Sequence, residues 1–128
     1  MKYKDIEIQI TSEKEESQKH LEKDFNVLLK SGIDNIVKEN FIPWITATDF
    51  KDKDHDKIFE GLKLFRIDYH YSKIIAKYSP TSEENYFGQF TFCFESGNEY
   101  TNDIIEAVAM EIYVLDDKIV NVDGYDIW

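Results

Sequence analysis

The chain has 128 residues, of which 42% are hydrophobic and 15% aromatic, and its formal net charge is −11 at pH 7. This length suits one folded domain, and the aromatic content exceeds that of intrinsically disordered acidic chains. Residues 1–79 hold 15 acidic and 14 basic residues, whereas residues 80–128 hold 11 acidic residues and a single lysine. An acidic half repels nucleic acid and anionic membranes and favours a cationic partner.

No segment of the sequence predicts export or membrane insertion. The first ten residues mix charged with apolar residues, unlike a signal or transit peptide. The longest apolar run, at residues 107–110, is far shorter than the ~20 residues of a membrane-spanning helix. Cys93 is the one cysteine, which excludes an internal disulfide or a multi-cysteine metal site. It is predicted to be a small buried residue, with a reactive thiol as the alternative. We therefore expect a cytoplasmic protein.

The N-terminal part predicts one strand followed by a helix. Isoleucines alternate with polar residues over residues 6–10, which is typical of a strand with one buried face. Ser12 and Glu15 have the spacing of a helix-capping box. A helix is therefore predicted from about residue 13 to Lys30.

A shorter second helix is predicted through Ile33, Ile36 and Val37. It should end before Pro43, because the residue that precedes a proline avoids helical geometry. Residues 46–57 have no sustained periodicity, which predicts a polar loop or a short helical turn.

From Gly61 onward the pattern predicts strands, because apolar residues recur at every second position. One alternating run covers residues 65–69 and another covers residues 74–78. The sequence leaves two interpretations open between them: a turn near residues 71–73, or one long bent strand. Residues 80–84 are predicted to form a loop.

The C-terminal part predicts a strand and a hairpin. Phe90, Phe92 and Phe94 should share one face of a strand, with the intervening residues on the other. Residues 108–114 and 119–122 should pair around an Asp116-Asp117 turn, and Gly124 should end the hairpin.

The order of these elements predicts a single α+β domain over residues 1–128. Its expected architecture is an antiparallel sheet of about five strands, with the N-terminal helices packed on one face.

Asp52, Asp54 and Asp56 resemble the first half of a calcium-binding EF-hand loop. The match then fails, because Lys57 stands where the loop needs glycine and Lys63 where it needs a bidentate glutamate. The sequence therefore predicts neither a bound metal nor another cofactor.

Asp68, His70 and Ser72 are the three residue types of a hydrolase triad. On a strand they would point to one face, with neighbours about 6.6 Å apart, which is too far for direct side-chain hydrogen bonds. No nucleophile-elbow pattern accompanies them. We therefore expect a polar row without catalytic function, opposite residues 67–71.

Several aromatic residues of the acidic half stand beside carboxylates. Such a surface suits a basic protein, because the rings supply contact area and the charges steer association. The alternative is that the tyrosines cap the core with their hydroxyls in water. The predicted partner-binding residues are Glu83, Glu84, Tyr86, Glu99, Tyr100, Asp103, Asp116, Asp117, Asp123, Tyr125, Asp126 and Trp128.

In its size, its predicted α+β domain, its lack of an export signal and its acidic run from Glu83 to Asp126, the chain resembles a known class of proteins. These are the small acidic immunity proteins that bacteria encode beside polymorphic or contact-dependent toxins. The resemblance concerns the character of the whole chain and transfers no individual binding residue. It implies a cytoplasmic protein that binds and blocks a basic toxin domain, commonly a nuclease.

Two other functions stay open at the level of sequence. One is a small cytoplasmic enzyme or ligand-binding protein that uses His70 or a carboxylate in a pocket between helices and sheet. The other is a structural subunit that only self-associates. For the binding function we expect a monomer or weak homodimer whose partner is a basic protein, neither nucleic acid nor membrane.

Overall fold

The computed structural model describes residues 1–11, 14–46, 54–73 and 86–126. Within these ranges, four helices and six strands follow one another along the chain. They are β1 (Lys2–Tyr3), β2 (Ile6–Ile10), α1 (Lys14–Ser31), α2 (Ile33–Thr46), α3 (His55–Glu60), β3 (Leu62–Lys73), β4 (Tyr86–Ser96), α4 (Glu99–Asn102), β5 (Ala107–Leu115) and β6 (Lys118–Asp126).

The strands form one mixed sheet in the order β1-β2-β3-β4-β5-β6, so the fold is α+β. The prediction of an antiparallel sheet of about five strands is corrected in two respects. β2 and β3 are parallel, because the intervening helices return the chain to the end of the sheet from which β2 starts. β1 adds a sixth strand of only two residues. The other neighbouring strands are antiparallel.

Side chains of α1 and α2 share one core cluster with alternate residues of the sheet. α1 contributes Leu21, Phe25 and Leu28, and α2 contributes Val37 and Phe41. We call the side of the sheet that faces this cluster the inner face; its most buried residues are Ile67, Tyr69, Phe90, Phe92, Met110 and Ile112. The predicted common face of the β4 phenylalanines is therefore the inner face.

A buried carboxylate joins α1 to the inner face. Asp24 is only 7% exposed, and it accepts a 2.6 Å hydrogen bond from the hydroxyl of Tyr69. Gly88 makes room for this contact, because a Cβ atom at that position would overlap the Asp24 carboxylate. Burial is the largest influence on the pKa of Asp24 and raises it, although the Tyr69 hydrogen bond, His20 and Lys23 act in the opposite direction.

α2 continues to Thr46, which corrects the prediction that this helix ends before Pro43. Pro43 has no N–H to donate, and an internal proline costs about 3 kcal/mol. Phe41 and Ile45, on either side of it, are both fully buried in the core cluster. Burying two such side chains contributes about 1.5–3 kcal/mol each, which is enough to offset that penalty.

β3 runs without interruption from Leu62 to Lys73, so the chain makes no turn at residues 71–73. Residues 74–85 contain the predicted run at 74–78 and the predicted loop at 80–84, and they lie outside the described residues.

Phe65 does not follow the alternation predicted for β3. The register of β3 with β4 shifts between Leu64 and Arg66, which marks a bulge. Phe65 is the extra residue and is 41% exposed, whereas Ile67 and Tyr69 are fully buried as the alternation predicts.

The predicted hairpin between β5 and β6 is present, with its turn at Asp116 and Asp117. Both residues have positive φ, 49° and 64°, as a two-residue type I′ turn requires. Gly124 does not end the hairpin. β6 continues to Asp126, because Gly124 pairs with Met110 and the strand beyond it stays in register with β5.

Two short helices lie at the end of the sheet where β3 begins and β4 ends, and an N-cap side chain starts each of them. Asp54 accepts from the Lys57 N–H at 3.1 Å, and Asn98 accepts from the Thr101 N–H at 2.8 Å. Each bond satisfies one backbone donor that a helix start leaves unpaired. The sequence predicts α3 only as an alternative and does not predict α4.

Candidate partner-binding surface

The face of the sheet opposite the inner face carries polar side chains from four strands. Since successive side chains of a strand point to opposite faces, the residues between the inner-face positions lie here. We call this surface the outer face; its described polar residues are Lys63, Arg66, Asp68, His70, Gln89, Thr91, Glu95, Glu111, Asn121 and Asp123. All are half-buried or exposed. The expectation that Asp68 and His70 lie opposite Ile67 and Tyr69 is confirmed, while the side chain of Ser72 lies outside the described part.

Three carboxylates of the outer face stand in one line across the strands. Asp68 pairs in register with Thr91, Thr91 with Glu111, and Glu111 with Asp123. Neighbouring strands are about 4.8 Å apart, so the line crosses four strands within about 14 Å. We call Asp68, Glu111 and Asp123 the acidic row.

The charges of the acidic row are unequally compensated. Arg66 Nε lies 2.8 Å from Asp68 Oδ1 and forms an ion pair with it. Glu111 and Asp123 form no ion pair with a described residue. Each accepts one neutral hydrogen bond, from the Tyr113 hydroxyl at 2.7 Å and from the Asn121 amide at 3.0 Å. Like charges directly opposite on neighbouring strands are destabilising, so this pair favours a cation from outside.

His70 does not neutralise the row. Burial of its ring is the main cause of a lowered pKa, although Glu111, a hydrogen bond with Gln89 and Asp68 act in the opposite direction. Because an ordinary histidine already has a pKa of about 6.5, the His70 ring is mostly uncharged at neutral pH. The outer face therefore keeps its negative charge near pH 7.

A small apolar cluster lies beside the acidic row, towards the turn between β5 and β6. Phe87 is fully buried and Tyr113 is 5% exposed, and the half-buried Leu115 and Val120 pack against them. The Tyr113 ring meets Phe87 edge-on and thereby holds its hydroxyl at Glu111. The hydrogen bond from Tyr113 therefore restricts the orientation of the Glu111 carboxylate.

Cys93 lies on the same side of the sheet and is buried, as the sequence predicts. Burial raises the pKa of its thiol, which keeps the sulfur in its unreactive protonated form.

The outer face shows neither a metal site nor a nucleophile bonded to His70 among the described residues. No group of three or more His, Cys, Asp or Glu side chains in that part of the chain could hold a metal ion. Asp54 caps α3, while Asp52 lies outside the described ranges. The side chain of His70 is hydrogen-bonded to that of Gln89, and an amide is not a nucleophile.

The predicted partner-binding residues whose side chains the structure describes lie in three separate regions, and among them Asp123 alone belongs to the acidic row. Asp116 and Asp117 form the β5–β6 turn, and Lys23 Nζ lies 3.5 Å from Asp117 Oδ1. Since this lysine compensates Asp117 in part, the turn is a less acidic site than its sequence suggests.

Glu99, Tyr100 and Asp103 lie at and beside α4, at the other end of β5. The nine-residue strand β5 lies between α4 and the β5–β6 turn and spans roughly 27 Å. Tyr100 packs against α3: its hydroxyl accepts from the Asp54 N–H at 3.3 Å, and Lys57 Nζ lies 4.3 Å from its ring centre. The two ends of β5 therefore do not form one compact patch.

The remaining predicted residues are described only in part or not at all. Tyr86 begins β4, and Tyr125 and Asp126 pair in register with Ala109 and Val108, but the side chains of these three predicted residues are outside the described part. Glu83, Glu84 and Trp128 lie outside the described residues altogether.

A cleft of about 310 Å³ lies between β1, α2, α3 and the inner face. At its rim Asp34 accepts hydrogen bonds from the Tyr3 hydroxyl at 3.1 Å and from Lys4 Nζ at 2.8 Å. Burial and Asp34 raise the pKa of Tyr3 to about 12. The apolar lining residues are Ile33, Val37, Phe59, Leu62, Leu64, Phe92 and Phe94.

Comparison with known proteins found no match to a family model, to a curated protein or to a solved structure. In the described part of the chain, no helix combines the length and hydrophobicity that a membrane crossing requires. Function must therefore be inferred from the residues of this chain.

Proposed function

We propose that the protein is a non-catalytic binding module that uses its acidic C-terminal half to bind a basic protein. In the form we favour, it is a cytoplasmic bacterial immunity protein, and its partner is a cationic toxin domain such as a nuclease. The observation that carries the proposal is the acidic row, in which Glu111 and Asp123 stand opposite each other without a cationic partner among the described residues.

This arrangement is unfavourable for the isolated protein. A like-charge pair across two strands opposes the pairing of those strands. Lysine or arginine side chains of a partner would remove the repulsion on binding, and the surrounding negative potential would accelerate the encounter. Because Tyr113 and Asn121 already hold the two carboxylates, little side-chain freedom would be lost.

The experiment removes charge from the row without changing its shape. The partner is first isolated by affinity capture, or by co-expression with the product of the neighbouring gene. The test variant is the double substitution Glu111→Gln and Asp123→Asn, which keeps both hydrogen-bond acceptors. The control is Glu15→Gln with Glu22→Gln, because both of these glutamates are exposed on α1.

We expect the test variant to bind about tenfold more slowly at low salt, with a weaker dependence on salt concentration. The control should resemble the wild type. Equal losses in the two variants would refute a role of the acidic row, and affinity that is independent of ionic strength would refute charge-based recognition.

The cleft beside Tyr3 favours a second candidate, a small ligand-binding protein or enzyme. Its volume lies at the lower end of the about 300–1,000 Å³ of small-molecule sites, and its lining is mostly apolar. A small molecule that raises the melting temperature of the wild type but not that of Leu64→Asp would support this function. This second function would become the preferred one if neutralising the acidic row left the affinity for every captured protein partner unchanged.

A further inference from the structure

The acidic row ends at a free edge of the sheet. Among the described strands, β6 pairs only with β5, so one side of its backbone has no strand partner, although α1 and α2 both approach this strand. No backbone hydrogen bond joins that side to another described residue. At the opposite edge β1 has only two residues and pairs with Ile6 and Glu7 alone, so neither β1 nor the rest of the five-residue β2 offers an edge as long as that of β6. β6 is therefore the edge on which a further strand could be built.

The regular part of β6 is long enough for this purpose. The register with β5 shifts between Tyr113 and Val114, and beyond that irregularity β6 runs in unbroken register from Asn121 to Asp126. Neighbouring residues of a strand turn their N–H and C=O groups to opposite edges, so half of these residues present both groups to the free side. Exposed strand edges of this kind accept extended peptides from other proteins.

Charge decides which strand would fit. Lys118, the one basic residue of β6, lies at the start of the strand, whereas the acidic Asp123 lies in its regular part. A side chain on an added strand opposite Asp123 would have its Cβ about 4.5–5.5 Å away and would extend the line that runs from Asp68 through Glu111. Lysine or arginine at that place would compensate the row, while an acidic residue would increase its repulsion.

We propose that β6 binds a basic, extended segment of the partner as a seventh strand, with a lysine or arginine placed opposite Asp123. This inference rests on the proposed function and specifies how the partner is bound. Lysine or arginine at alternate positions would lie along the outer face, and apolar residues between them would lie beside Val122 on the inner side. Backbone hydrogen bonds would supply part of the affinity and the acidic row the preference for basic sequences.

The test uses a synthetic peptide of about seven alternating lysines and valines as the probe. The matched control peptide has the same side chains, but every internal amide is N-methylated and cannot donate a hydrogen bond. Titrations at low and high salt measure affinity, and hydrogen exchange followed by NMR locates the protected amides. Asp123→Lys is compared with Glu15→Lys, which reverses an exposed charge on α1.

We expect the probe to slow exchange at alternate amides between Asn121 and Asp126. The N-methylated peptide should bind at least about tenfold more weakly, because two or more hydrogen bonds of ~1 kcal/mol each are lost. Asp123→Lys should weaken binding of the probe, whereas Glu15→Lys should leave it unchanged.

In the titrations, equal binding of the two peptides, or no binding of the probe at millimolar concentration, would overturn the inference. In hydrogen exchange, two results would overturn it: protection of amides only in other elements, or protection of the β6 amides that rises with protein concentration alone. The last would show that a second copy of the chain occupies the edge. Failure of the proposed function is distinguishable, because neutralising the acidic row would then leave binding of the natural partner unchanged. If that binding falls while the β6 amides stay unprotected in the complex, the proposed function stands and only the added strand is refuted.

Discussion

Asp24 shows how a single charged residue can be kept inside this protein. Its carboxylate occupies the space that the missing side chain of Gly88 leaves on the inner face, and Tyr69 donates to it. An ionised carboxylate loses its hydration on burial, and one neutral hydrogen bond replaces only part of it. Among the described residues no buried side-chain polar atom lacks a partner, so this contact completes the hydrogen bonding of the core.

We expect Asp24 to make the protein less stable at neutral pH than at acidic pH. Because its pKa is raised in the folded state, its stability contribution is fully present below the unfolded-state pKa and is lost as pH rises through the folded-state pKa. Asp24→Asn should remove this loss. The free energy of unfolding, measured by urea titration between pH 4 and pH 7, should therefore fall less steeply with pH in the variant. Parallel slopes would show that the Asp24 carboxyl is not perturbed.

Tyr69→Phe tests the other side of the same contact. The substitution keeps the ring and removes the donor, which leaves the Asp24 carboxylate buried without it. We expect a loss of about 1–3 kcal/mol in the free energy of unfolding at pH 7. The loss should be much smaller in an Asp24→Asn background, where no charge needs the hydrogen bond. An equal loss of unfolding free energy in the wild type and in the Asp24→Asn background would show that Tyr69→Phe acts through packing of the ring and not through the hydrogen bond.

The β5–β6 hairpin is the element whose sequence and structure agree most directly. Asp116 and Asp117 are predicted as its turn because the local chain alternates on both sides of them, and the structure gives both residues positive φ. Aspartate tolerates this conformation, but glycine adopts it without strain. The turn therefore keeps two acidic residues where Asn-Gly would be the more stable choice.

Replacing Asp116-Asp117 by Asn-Gly should raise the free energy of unfolding by about 1 kcal/mol. The Asn-Asn variant is the matched control, because it removes the same two charges and the contact of Asp117 with Lys23 but adds no glycine. Thermal and urea unfolding of the two variants would measure the difference. If Asn-Asn is stabilised as much as Asn-Gly, charge repulsion rather than backbone strain limits the turn.

Features that depend on distant parts of the chain could not be predicted from sequence. The helix through Pro43 is held by Phe41 and Ile45, whose burial depends on the packing of the whole core. The bulge at Phe65 follows from the pairing of β3 with β4. Local patterns such as residues 6–10, in contrast, were sufficient to predict their strands.

The candidate site likewise has features that the local sequence predicts and features that it does not. Asp123 was predicted from its place in the acidic half, and the outward direction of Asp68 from the alternation of its strand. That these two and Glu111 stand in one line depends on the register of four strands. Register is set by turn geometry and by the buried pattern of every strand together, and no single segment of the sequence contains it.

At the scale of the whole molecule, the net charge of −11 is concentrated in the C-terminal half. Folding brings these charges closer together than they are in the unfolded chain, so self-repulsion opposes the compact state. Salt screens this repulsion over a Debye length of about 10 Å at 0.1 M. The free energy of unfolding should therefore increase with ionic strength. The repulsion between Glu111 and Asp123 should account for part of this increase.

We expect the melting temperature at pH 7 to rise between 10 mM and 500 mM sodium chloride, conditions that span weak and strong screening. Glu111→Gln should stabilise the protein by about 0.2–1 kcal/mol at low salt, with a smaller gain at high salt. Glu22→Gln serves as the control and should change stability little, because Glu22 is exposed in the middle of α1. A gain from Glu111→Gln that does not depend on salt would show that the carboxylate is not repelled by its neighbours.

The parallel pairing of β2 with β3 has a consequence for synthesis on the ribosome. Ile8 lies opposite Ile67, so the first long strand to be made must wait for a partner that appears much later. At 5–20 residues per second, this delay is about 3–12 s. During that time the three isoleucines of β2 lack the strand beside which they pack in the folded protein. The charged residues around them, Lys4, Asp5 and Glu7, are of the kind that keeps such a segment from aggregating until β3 has been made.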